Sequence, residues 1–424
     1  MTELGLSPLA AGDPKLSVAE ARSAIAAVLR PVTESERVPL ERALGRVLAA
    51  DVVSPIDVPG HDNSAMDGFA FSGRDIVADG PTTLRVVGAS LAGGSFSGVV
   101  AAGEAIRITT GAVMPAGLDT VVPQELCKVG GELVRFAPQT IRTGENRRLR
   151  GEDLAAGRPA LCAGRVLKPA DLGLIASLGI DAVGVFRKLR VALFSTGNEL
   201  RSLGQALDPG SVYDSNRYSL LGALQRIGVD VIDYGLVADS PEALQATMQA
   251  AIEHADAVLT SGGVSVGEAD HTREILGRMG EVMFWKVEMR PGRPFAFGPL
   301  RRASHEQPAW LFALPGNPVA ALVTFYVFAR DALLALAGAA PNPLPVLQAR
   351  CASAIRKRPG RTEFQRAIVE PAGDGSWQVR LTGSQGAGVL RSMSEANCLL
   401  VLGSEQGSVA AGEFVDVWLF DGLA

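Results

Sequence analysis

Ala257-Val258-Leu259-Thr260-Ser261-Gly262-Gly263-Val264-Ser265-Val266-Gly267-Glu268-Ala269-Asp270 joins an apolar run to a glycine pair and then to an acidic stretch. An apolar run without polar alternation reads as a strand covered on both faces, as in a parallel sheet. The Gly-Gly that ends it bares backbone N–H groups where an anionic ligand can come close. The same rhythm extends outward. Strands are expected at Arg190 to Phe194, Val229 to Leu236 and Trp310 to Leu314, with helices at Asn216 to Ile227, Pro241 to Glu253 and Thr272 to Met279. Asn317-Pro318 opens a further long helix, with proline at its first position. Strands alternating with helices predict a doubly wound α/β domain with a parallel sheet.

Ligands of such sheets bind outside the carboxyl ends of the strands. That rule puts Ser195 to Glu199, Asp239, Ser261 to Asp270 and Leu314 to Pro318 on one rim. Further on, Arg290-Pro291-Gly292-Arg293-Pro294 holds two guanidinium groups on a Pro/Gly frame. Backbone donors, carboxylates and fixed cations together suit a metal-assisted site for phosphate-like oxyanions.

Before this region, Ser17-Val18-Ala19-Glu20 is a capping box opening a helix that Pro31 stops. From Pro55 to about Arg150 short apolar runs are split by Gly and Pro, the pattern of a β-rich domain. Past Ala340 about five short strands with Gly-rich turns predict a small barrel. The expected division is 15–54 plus 153–187 (a mixed helical N-terminal/linker domain), 55–152 (a β-rich insertion domain), 188–339 (α/β) and 340–424 (a C-terminal small β-barrel).

A chain of 424 residues exceeds one ordinary core, and 47% hydrophobic with 20% charged residues is globular. A net charge of -5 argues against a general nucleic-acid binder, so an anionic ligand must find a locally positive pocket. Cys127, Cys162, Cys351 and Cys398 form no Cys-x-x-Cys pair, and the four histidines show no ligand spacing. Reduced thiols in the cytoplasm are expected. Neither a signal peptide nor a membrane span is read; Val319 to Ala340 is interrupted by Arg330-Asp331 and reads as a buried helix.

The chain resembles the molybdopterin molybdenumtransferases, the molybdenum-insertion family related to the gephyrin E domain. The resemblance runs from about Ser17 to the C-terminus. It is carried by Asp57 to Gly68, Ile108 to Ala112, Arg150 to Asp153, Ser195 to Leu200, Ser261 to Asp270, Arg290 to Gly298, Leu314 to Val319 and Thr362 to Arg366. It implies insertion of molybdate into adenylylated molybdopterin, coupled to Mg²⁺-dependent pyrophosphate cleavage and AMP release. It also implies a homodimer whose cleft is built from two subunits, with a possible molybdopterin adenylyltransferase partner. Two other readings share its parts: the adenylyltransferase step itself, and a gephyrin-E-like scaffold.

Site residues follow from both sources. Asp62 and Asp67 read as turn residues or acids, and the resemblance makes Asp62 catalytic. Glu199 is either a first-turn carboxylate favoured by a helix dipole or a Mg²⁺ ligand on the rim. Asp239 and Asp270 are either helix caps or, with Glu199, catalytic metal ligands, which the resemblance favours. The implied substrate contacts are Thr110, Arg148, Asp153, Ser261, Gly262, Gly263, Ser265 and Lys286. Gly262 and Gly263 would offer backbone donors. Oxyanion binding is assigned to Arg290, Arg293, Pro294 and Arg366, the first two standing where the family commonly has lysine. Ala320 and Ala387 replace serines that relatives often carry near the oxyanion, which leaves molybdate versus tungstate open.

Overall fold

A computed structural model describes residues 15–262 and 275–420. At its centre the strand Arg190–Thr196 is buried in every residue after the first. Val191 and Leu193 enter one apolar core while Ala192 and Phe194 enter another, as the two-residue period of a strand dictates. Helices must therefore cover both faces. Val18–Val28, Ser215–Arg226 and Pro318–Thr324 supply the first core, and Pro241–His254 supplies the second. Full burial of each large aliphatic or Phe side chain stabilises by about 1.5–3 kcal/mol.

Four strands form the expected parallel core, in the order Asp230–Val237, Arg190–Thr196, Ala257–Ser261, Ala309–Leu314. Three more extend the sheet beyond it. Pro294–Leu300 runs antiparallel to Ala309–Leu314, and Met283–Val287 runs antiparallel to Pro294–Leu300. The connecting segments 288–293 and 301–308 are too short for a parallel crossover, so hairpins result. Lys15–Leu16 closes that edge beside Met283–Val287. This strand and the helix after it thus pack with the α/β core, whereas Ser35–Pro39 pairs with Ala182–Phe186 and Val52–Val53 with Pro159–Leu161. The grouping of 15–54 with 153–187 stands as a proposal for the part beyond Val32.

The C-terminal strands close on themselves. Thr362–Pro371 pairs on one side with Trp377–Leu381 and on the other with Cys398–Leu402; Val346–Cys351 and Phe414–Leu419 complete the ring. Closure removes the free edges a small sheet would otherwise expose. Met289–Arg290 pairs with Thr362–Glu363, so the arginine-bearing segment is stitched to this barrel. The β-rich region is a six-stranded sheet whose order is Thr120–Pro123, Gly68–Phe71, Glu104–Ile108, Thr82–Ser90, Leu133–Phe136, Cys127–Gly130.

The apolar helical segment Pro318–Leu336 is long enough to cross a bilayer, but 78% of its most apolar window is buried in the protein. It is a core helix, interrupted by a π-helical turn at Phe325–Ala329.

Candidate functional site

The carboxyl ends of the parallel strands meet closely. Gly262 has φ +94, and a Cβ there would fall on the Thr196 carbonyl oxygen, well inside contact distance. Its N–H donates to the Leu314 carbonyl at 3.1 Å. This corrects one expectation: the Gly262 N–H is spent within the sheet end and is not a donor held ready for a ligand. What glycine supplies here is close approach of two backbones. Gly262→Ala should therefore lower the melting temperature by several degrees or more, since neither the carbonyl nor the positive φ accommodates a methyl group. Thermal denaturation checks this; an unchanged midpoint would show that the rim relaxes freely.

Two expected acids, Glu199 and Asp239, follow neighbouring strands of this rim. Thr196 Oγ1 donates to Asp239 Oδ1 at 3.2 Å, and Ser240, not Asp239, caps the helix Pro241–His254 by accepting from Ala243 N. Asp239 is thus not the cap. Glu199 precedes the short strand Leu200–Arg201, so no helix dipole accounts for it, and its carboxylate turns back to 2.7 Å from where a Cβ on Gly197 would lie. Gly263, Ser265 and Asp270 lie outside the described residues. Among the described residues no cluster of three or more His, Cys, Asp or Glu could hold a metal by itself.

The cations assemble where the barrel meets the α/β domain. Arg366 is 1% exposed. Its Nε donates to Ser392 Oγ at 3.1 Å and Nη2 to the carbonyls of Ser384 and Gly386 at 3.3 and 3.0 Å. Among the described residues no carboxylate pairs with it. Burial, and then the neighbouring Arg290 charge, push its pKa down to about 10. Two neighbouring cations with no paired carboxylate among the described residues make a site poised to accept an anion. Arg290 and Arg293 are exposed at either end of Pro291-Gly292. Gly292, at φ +95, lies against the helix Pro318–Thr324; a Cβ there would strike Thr324 Oγ1 and come within 3.5 Å of the Ala320 carbonyl. The Ala387 carbonyl accepts from Val319 N at 3.0 Å, so Ala320 and Ala387 border the same junction. Lys286 stands directly across from Pro294 on the adjacent strand.

A second group belongs to the β-rich region. Asp62 Oδ1 accepts from Arg150 N at 2.8 Å, with Arg147 3.8 Å from Oδ2. Asp67 Oδ1 accepts from both the N–H and the hydroxyl of Thr110, at 2.7 and 3.0 Å, and these bonds hold its pKa below the usual carboxylate range. Both are long-range bonds, not the local ones of a simple turn. Arg148 pairs with Glu152 at 2.8 Å, the salt-bridged turn arrangement, while Asp153 is exposed and its N–H bonds the Val58 carbonyl. Among the described residues no hydrogen bond or ion pair joins this group to the rim of Glu199 and Asp239.

Family models match in order along the chain: MoeA N-terminal region (domain I and II) over residues 16–179, probable molybdopterin binding domain over 192–335, and MoeA C-terminal region (domain IV) over 348–420. A molybdopterin molybdenumtransferase of Haemophilus influenzae is 39% identical over 96% of this chain and 99% of its own length. The chain belongs to the molybdopterin molybdenumtransferase family. A Nostoc member is 37% identical over 90% of this chain and 88% of its own. A solved MoeA protein of Pyrococcus horikoshii superposes with a TM-score of 0.80 at 28% identity, covering 96% of this chain and all of that one.

For a molybdopterin molybdenumtransferase, two further residues at this rim escape a reading of the sequence. Asp214 Oδ1 accepts from Ser195 Oγ at 3.0 Å, and Asn216 Nδ2 donates to Ser261 Oγ at 2.7 Å and to the Gly316 carbonyl at 2.6 Å. Asp214 and Asn216 open a helix and read as ordinary capping residues. Only their burial, at 2% and 8% exposure, distinguishes them, and burial is not written in local sequence.

Proposed function

We propose that this enzyme of molybdenum cofactor biosynthesis inserts molybdate-derived molybdenum into adenylylated molybdopterin, with Mg²⁺-dependent cleavage of the pyrophosphate bond and release of AMP. The observation that carries the reading is Arg366, a buried guanidinium beside Arg290 with no carboxylate partner among the described residues. An oxyanion such as molybdate would supply the missing charge. Arg366 comes from the barrel, which an adenylyl transfer confined to the α/β domain would not require.

Glu199 and Asp239 form a donor set suited to Mg²⁺, which takes one or two carboxylates and fills its remaining positions with water and phosphate oxygens. In the proposal these two, with Asp270, hold the ion, whose role is to neutralise charge on the pyrophosphate. Thr196 fixes Asp239 through its hydroxyl. Asp62, anchored by Arg150 N, is assigned to orient the attacking oxygen. Arg290, Arg293 and Arg366 hold the oxyanion, and Lys286 adds charge along the same edge. The free state of all four cysteines accords with a cytoplasmic setting.

Incubation with adenylylated molybdopterin, Mg²⁺ and molybdate should release AMP in a molybdate-dependent manner. No release by the folded wild type would overturn the assignment. Excess chelator should abolish release while the circular dichroism spectrum and melting temperature stay unchanged, because the described residues form no structural metal cluster. Full turnover in chelator would remove Mg²⁺ from the scheme.

A further inference from the structure

The opening of the helix Ser215–Arg226 reaches three separate strand ends at once. Asp214 holds Ser195 at the end of one strand. Asn216 holds Ser261 at the end of a second and the carbonyl of Gly316, just beyond a third. The Gly316 carbonyl can only accept, so the amide nitrogen must face it and Oδ1 must face elsewhere. Asn216 Oδ1 is buried and has no hydrogen-bond partner among the described residues. A buried acceptor without a donor lowers stability. A hydroxyl could donate to either partner without leaving such an orphan, so stability of the fold does not explain an amide here.

What the amide does, and a hydroxyl with one proton does not, is donate to two rim segments at once from the opening of a helix, beside the direct bond from Ser261 Oγ to the Pro315 carbonyl at 3.4 Å. The two segments are Ser261-Gly262 and Pro315-Gly316, which approach so closely that a Cβ on Gly316 would lie 3.9 Å from the Gly262 Cα. We infer that Asn216 is a positioning residue for the adenylylated pterin: it fastens the two rim segments, which Ser261 and Gly262 also tie to Pro315 and Leu314, to the opening of the helix and so holds them in place for that substrate. The inference rests on the proposed function and deepens it. The cations of Arg290 and Arg366 are tied to the barrel and not to Asn216, so the oxyanion is held independently of it.

The test compares wild type with Asn216→Ala and Asn216→Asp. The second keeps the shape but replaces the two N–H donors with a carboxylate facing the Gly316 carbonyl. Leu224→Ala, a buried change on the same helix, serves as the control for lost stability. Calorimetric titration with adenylylated molybdopterin should show Kd raised about ten- to thirtyfold in both Asn216 variants, the consequence of losing one well-placed hydrogen-bonding group. The molybdate concentration giving half-maximal AMP release should stay within about twofold of wild type. Leu224→Ala should lower the melting temperature yet leave Kd within about twofold.

Binding unchanged in Asn216→Ala overturns the inference, as does an equal loss in Leu224→Ala, or a parallel rise in the molybdate requirement. A wild type that binds the adenylylated pterin but releases no AMP overturns the proposed reaction alone, and the Kd comparison still decides the role of Asn216. A wild type that binds none of it overturns both.

Discussion

Asp62→Ala and Glu199→Ala should each lower AMP release by about two decades or more, the usual effect of removing a group that orients a proton or a metal in the reacting complex. Mixed in equal amounts with free subunit exchange, the two inactive proteins should recover about a quarter of wild-type activity. The expectation follows from placement. Asp62 is fastened to the β-rich region through Arg150, and Glu199 lies on the α/β rim. Among the described residues of one chain no hydrogen bond or ion pair brings these groups together. A two-fold dimer would let Asp62 of one subunit complete the rim of the other, and each mixed dimer would then have one intact cleft of two. About half the dimers are mixed, hence the quarter. If both residues serve one subunit's own site, every cleft in the mixture carries a lesion. Verified heterodimers without activity would therefore exclude the shared cleft.

Loss of the Arg366 guanidinium should act on the oxyanion and spare the pterin. Arg366→Met and Arg290→Ala should each raise the half-saturating molybdate concentration by about one to two decades, the equivalent of a charge-assisted hydrogen bond worth about 1.5–3 kcal/mol. Kd for adenylylated molybdopterin should change far less. Molybdate should also raise the melting temperature of wild type, because an anion relieves the cost that burial and the Arg290 charge impose on this guanidinium. That rise should vanish in Arg366→Met. The linkage has a definite sign. A guanidinium whose pKa falls on folding from its ordinary, higher value to about 10 opposes folding at neutral pH. The penalty fades as pH rises from about 10 towards the unfolded value. Stabilisation by molybdate should therefore be full at neutral pH and diminish above about pH 10. Equal losses of pterin and molybdate binding in both variants would mean that the arginines serve the phosphates.

The α/β rhythm was legible because burial on both faces of a parallel strand leaves a mark along the chain. Ala257 to Ser261 and Ala309 to Leu314 are wholly buried, and the runs Ala257 to Leu259 and Ala309 to Leu314 are apolar with no polar alternation. Helix-start signals are equally local, so the capping box of Ser17 with Glu20 marked one helix and Pro318 at the first position marked another, where Asn317 takes the cap position without a side-chain bond. The cation-rich Arg290 to Pro294 run was visible for the same reason, being contiguous.

The sequence by itself determined which strands lie buried, where the helices begin and which residues carry the family's motifs. Tertiary structure decided the rest, because hydrogen-bond partners and desolvation depend on residues far apart in the chain. Gly262 belongs to a motif that reads as a backbone donor, yet its N–H is taken by Leu314, more than fifty residues on. Asn216 reads as a helix-opening residue and becomes the tie between Ser261 and Gly316. Arg366 reads as one arginine among many, and only barrel closure removes it from water and sets it beside Arg290. Its charge is written in the chain; that no carboxylate among the described residues pairs with it is a property of the fold.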